Sequence, residues 1–146
     1  MLSPIQLIDH RFGEIHLVPT LNLTAPEREQ RVVACRHELG WQQSDEDSRR
    51  WRLRLRVELL LPKQTHRAPY TGVVEVIGEF QIHADFPSDR RESLARMSGG
   101  AMLYSAIREW VCTLTSRSIN GMIELPSLDP RCFLQPPDDP QHDKQS

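Results

Sequence analysis

Residues 102–126 read MLYSAIREWVCTLTSRSINGMIELP, and the partition of this stretch decides the architecture of the chain. On a helical wheel, residues 101–117 place Leu103, Ile107, Trp110 and Leu114 along the centre of one face. Met102 and Ala106 flank that centre on one side, and Tyr104 and Val111 flank it on the other. The apolar arc is roughly 200° wide, about twice what packing on a single surface needs. Ser105, Arg108, Glu109, Cys112 and Ser116 fill the remaining wall. One side of this helix has to cover a sheet. The rest calls for another partner: a second copy of the chain, an apolar ligand, or the protein's own loops and C-terminal segment.

The sheet is predicted upstream. From Arg52 to Leu59 apolar and charged residues alternate without a slip, as in a strand with one wet face. Val74, Val76, Phe80, Ile82, Ala84 and Phe86 repeat that pattern, with Glu75, Glu79, Gln81 and Asp85 opposite. Gly78 interrupts the inner set and marks a bulge or a close contact. Residues 5–18 read as a strand with a bend near Gly13, and Val33, Cys35, Leu39 and Trp41 line one face of another. Polar joints around 24–27, 43–48 and 62–71 contain no helix, which favours an antiparallel meander. Asp89 and Glu92 form a capping pattern for a short turn, and Ser98-Gly99-Gly100 precedes the main helix. The fold class is α+β: a four-stranded antiparallel meander packed on one long helix, over residues 1–134. Residues 135–146 are polar and proline-rich, the composition of a disordered tail.

Composition narrows the function classes. The chain has 146 residues, 38% hydrophobic and 26% charged, with a formal net charge of −2. That balance gives no global attraction to nucleic acid or anionic membranes. No apolar run reaches the roughly 18 residues of a membrane span. The first residues lack the basic and apolar regions of a secretion signal, and three scattered cysteines do not make a disulfide framework. These features point to the cytoplasm and reduced thiols.

Several single features also have plainer roles. Arg49, Arg50, Arg52, Arg54 and Arg56 around Trp51 suggest a nucleic-acid surface, but they equally form a wet strand face paired to Glu75, Glu79 and Asp85. Cys35 and His37 share strand parity, yet no second close pair of ligands completes a zinc site, and His37 suits the edge of the core. There is no nucleophile elbow, phosphate-binding glycine loop or His-Glu-x-x-His, so neither an enzyme nor a cofactor is expected. Aromatic residues are the better candidates for recognition. Phe12, Trp41, Trp51 and Tyr104 are the candidate client-contact residues, whereas Phe80 and Trp110 carry the core phase.

With these patterns in place, a resemblance emerges. Leu103, Arg108-Glu109, Leu114, Ser116-Arg117 and then Leu125-Pro126 look like the signature of the SecB family of export chaperones. The likeness in element order covers residues 5–128. It implies an ATP-independent holdase for unfolded polypeptides, binding them in apolar grooves, with protein transport and translocation through SecA as the delivery route. It also implies a homo-oligomer, dimer or tetramer, with Met102, Ala106, Trp110 and Val111 at the interface. Relatives that serve one partner, such as the antitoxin of a toxin–antitoxin system, offer a dedicated alternative. The family continues into a second helix after the apolar segment. Here Pro130, Pro136 and Pro137 oppose one.

Overall fold

Four strands, β1 (Ile5–Pro19), β2 (Cys35–Gln43), β3 (Arg50–Leu59) and β4 (Tyr70–Ile82), form one antiparallel sheet in the computed structural model. The structure describes residues 1–60 and 67–135. The predicted tail therefore lies, from residue 136 onward, outside the described residues. The order across the sheet is β1-β4-β3-β2. Strands β2, β3 and β4 form the expected meander, but β1 does not extend it beside β2; it crosses to the far side of β4. Burial explains the difference. Val73, Val74, Glu75 and Val76 are all buried, so β4 needs a neighbour on each side. The more exposed β2 tolerates an edge.

The bend predicted near Gly13 is a register shift between Phe12 and Ile15, and a second shift falls between Leu7 and Asp9. Strand β4 ends at Ile82, short of Ala84 and Phe86, which lie in the turn that follows. On the wet face, Arg52 reaches Glu79 at 2.6 Å, Arg54 reaches Glu75 at 2.8 Å and Arg56 reaches Glu14 at 2.8 Å. Two of the three expected carboxylates thus take part. Asp85 instead lies 3.6 Å from His83.

The helix is longer than the sequence suggested. A 3₁₀ turn (Ser88–Arg90) leads into α2 (Arg91–Leu94), a π turn (Ala95–Gly99) and α3 (Gly100–Thr115) without a break. Short α1 (Ala25–Arg28) precedes β2. No side chain caps the turn at Ser88, so the Asp89–Glu92 pattern does not act as a capping box. Gly99 and Gly100 lie inside the helical run, where they serve packing. A Cβ on Gly99 would sit 2.8 Å from Leu53, and one on Gly78 would sit 2.7 Å from Leu103. Those two absences let the helix settle directly on β3 and β4. Leu53, Leu55, Val57, Val74, Val76 and Phe80 then close over Leu103, Ile107 and Val111.

A polar clamp holds the crossing from β1 to β2. Thr24 and Glu27 form a true capping box, and the Glu27 carboxylate also accepts from the Arg67 backbone at 2.6 Å and its guanidinium at 3.2 Å. The Thr24 and Arg67 N–H groups hold its pKa at about 2, below the ordinary 4.5. A carboxylate depressed on folding stabilises the native state above its unfolded pKa and loses that effect as pH falls through the folded one. Urea titrations should therefore show the wild-type midpoint dropping between about pH 4.5 and about pH 2. Glu27→Gln should start lower and drop less over that window.

Candidate client-binding and interface surfaces

The wide apolar arc of α3 is divided between the sheet, the chain's own C-terminal segment and a partly open side. Of its expected centre, Leu103 and Ile107 are buried in the core, whereas Leu114 and Trp110, the latter expected in the core by its phase, are not. The Tyr104–Val111 side of the arc meets the chain's own C-terminal segment, where Ile123 and Leu125 are buried. Its Trp110 side stays partly open: Trp110 is 38% exposed and Leu114 39%, with Met102 and Ala106 half-buried beside them. Phe12, at the bend of β1, leans on Trp110 with ring centroids 5.3 Å apart. Ile15 adds exposed apolar area after that bend.

The C-terminal segment is fastened by backbone groups as well as by burial. Arg108 Nε donates to Leu125 O at 3.1 Å, and Tyr104 Oη–H donates to Pro126 O at 2.5 Å. Thr115 Oγ1 accepts from Ile123 N at 3.1 Å. Glu124 pairs with residues 31–33: its N–H donates to Arg31 O, and its carbonyl accepts from Val33 N. The motif thus has a structural meaning. Leu103 and Leu125 build the core, Arg108 fastens the strap, and Ser116 Oγ bonds Thr113 O at the helix end. Glu109, Leu114 and Arg117 remain exposed, and Pro126 is half-buried. Among the described residues, a 3₁₀ turn (Pro130–Leu134) follows the strap.

Three assignments change with this geometry. Val111 is fully buried in its own protomer, so it is unavailable to a second copy. Tyr104 is buried between Cys35 Sγ, at 3.5 Å, and the strap, which removes it from client contact. Burial pushes both its phenol and the Cys35 thiol up, so neither is ionised near neutral pH. Trp51 is also buried, paired in register with Phe80. Phe12 and Trp41 keep accessible surface. The Trp41 indole donates to Glu92 Oε1 at 2.9 Å, and the Arg96 guanidinium stacks 3.9 Å over its ring.

In the sequence Glu92 stands out only as part of a capping pattern, and Arg96 and Phe133 carry no assignment. The first two sit one turn apart, and their i, i+4 spacing was an available signal for a helix starting before Gly100. Among the described residues, no group of three or more His, Cys, Asp or Glu is placed to hold a metal. No helix among them is long and apolar enough to cross a membrane.

The fold is similar to that of a solved SecB-like chaperone from Mycobacterium tuberculosis, in complex with a ChAD peptide from the HigA1 antitoxin. The identity is 21%, the TM-score 0.57, and the match covers 86% of this chain and 91% of that one. A protein of unknown function from Streptococcus agalactiae aligns with 14% identity and a TM-score of 0.45, over 84% of this chain and 97% of that one. No family model and no curated protein matches the sequence. The SecB-like fold expected from residues 102–126 is the fold found.

Tyr104→Phe deletes the bond to Pro126 O while keeping the ring. It should lower the unfolding free energy by about 1 kcal/mol in urea titrations and raise amide exchange in residues 122–125.

Proposed function

We propose that this protein is an ATP-independent, non-enzymatic chaperone that binds non-native polypeptide segments along the sheet and helix surfaces around Trp41 and Phe12. The observation that carries the reading is the SecB-like fold, whose likeness covers 86% of this chain. Three local features support it. Strand β2 has an outer edge with no strand beside it among the described residues. Trp41 adds an accessible indole to that edge. An extended client finds backbone partners and an apolar surface together there. Recognition by area and backbone is tolerant of sequence, as a holdase requires.

Dedication to one partner is the second reading, favoured because the similar chaperone was solved holding an antitoxin peptide. General export with delivery to SecA is the broader alternative. A cytoplasmic location accords with either. We place self-association on the open strip formed by Trp110, Met102, Ala106 and Leu114. An apolar strip flanked by Phe12 and Ile15 is suited to a second copy, giving a dimer or tetramer.

Two measurements test these statements. Several unrelated denatured proteins should stay soluble with the chaperone and no ATP; protection of one client alone selects the dedicated reading, and protection of none removes both. Trp110→Asp should lower the mass in multi-angle light scattering while the circular dichroism stays native. A wild-type protein that is monomeric at micromolar concentration removes the self-association proposal.

A further inference from the structure

We propose that Asn120-Gly121 is a site of spontaneous deamidation, held in check by the docked turn at residues 118–121, and that its conversion cuts the tie between the end of α3 and the sheet. This chemistry is independent of what the chain binds. The chain has two asparagines, Asn22 before Leu23 and Asn120 before Gly121. With no Cβ on Gly121, nothing shields its amide nitrogen from the side-chain carbonyl carbon of Asn120. In the reaction, Gly121 N bonds to Asn120 Cγ, the Cγ–Nδ2 bond breaks, and Nδ2 leaves as ammonia with the amide proton. A succinimide ring results. Water opens it at either carbonyl, giving aspartate or isoaspartate. Nitrogen is exchanged for oxygen, and nothing is oxidised or reduced.

The fold demands both residues, which places the labile pair here. Gly121 has φ 77°, in the left-handed region that favours glycine. Its N–H donates to Ser118 O at 3.0 Å and closes the turn. Asn120 Nδ2 donates to Thr20 O at 2.8 Å and to Pro69 O at 2.7 Å. Thr20 lies just past β1 and Pro69 just before β4, so one amide ties three segments together. The same bonds restrain the reaction. They pin the half-buried side chain, and the Ser118 bond engages the N–H that must be lost. Tyr70 Oη–H fixes the next carbonyl, Gly121 O, at 2.8 Å. Attack needs the turn undocked, so its rate follows the population of that open form.

The product does not restore the tie. An aspartate carboxylate brings only acceptors to two carbonyls that need donors. Isoaspartate also adds a carbon to the main chain just before the strap, where Met122 O accepts from Arg31 and Ile123 N donates to Thr115. Deamidation therefore makes a transient opening permanent, and the strap loses its hold where it leaves α3.

The test compares the folded full chain, the same chain in urea and a synthetic peptide of residues 116–124, all at neutral pH. Conversion at position 120 is read by mass spectrometry and by isoaspartyl methyltransferase labelling. The peptide and the unfolded chain should react alike, and the folded chain at least about tenfold more slowly. Tyr70→Phe frees Gly121 O while keeping the ring, and it should react several-fold faster than folded wild type with native circular dichroism. Asn120→Asp reproduces one product; its Ile123 amide should exchange faster than in wild type while β3 and β4 stay protected. Asn120→Ala removes the donors without adding charge and gives the same readout if the aspartate variant does not fold. A folded chain that reacts at the peptide rate, or an unfolded chain that stays intact at position 120, overturns the proposal. Unchanged Ile123 exchange in these variants overturns its second half, the loss of the tie.

Discussion

The surface of one helix constrains the rest of the molecule. Helix α3 presents apolar side chains around more than half its circumference, and burying one such side chain is worth about 1.5–3 kcal/mol. A single sheet contacts only part of that circumference. Gly78 and Gly99 bring helix and sheet so close that Leu103 lies directly on β4, which fixes the helix axis and its rotation. Whatever the sheet leaves uncovered must be met by something else. The strap meets the Tyr104–Val111 side, and the Trp110 side stays partly open.

This division explains why the strap carries polar fastenings in an apolar setting. An extended segment has no internal ladder, so its carbonyls and N–H groups need partners wherever they are buried. Arg108 and Tyr104 reach out from α3 to supply them, and residues 31–33 supply others in a short parallel bridge. The motif residues are therefore not a chemical centre. They join two segments that could not otherwise share a core.

Much of this was legible in the sequence. Strict alternation in β3 named its inward residues, and of the two roles open to Gly78, a bulge or a close contact, the structure has the close contact. The helix start was misplaced because Ser98-Gly99-Gly100 resembles a breaker; here tertiary packing overrides the low helix propensity of glycine. The position of β1 was not legible, since alternation gives a strand's faces and not its neighbours. Trp51 and Tyr104 looked like surface aromatics because their partners, Phe80 across the sheet and Pro126 in the strap, are distant in sequence. Val111 was assigned outward because a wheel cannot show that the chain returns to cover its own helix. Trp41, near a strand end, is exposed, and Phe12, at the bend, is half-buried against the core.

Everything here turns on whether the chain's own strap is a fixed layer of the core. Native-state hydrogen exchange at the amides of Val33, Ile123 and Glu124 reads this directly, because each donates a bond that exists only while the strap is docked. Protection comparable to that of β3 and β4 is the predicted result. Exchange at the rate of an unstructured peptide, with the sheet still protected, would contradict it and return the whole arc of α3 to an external partner.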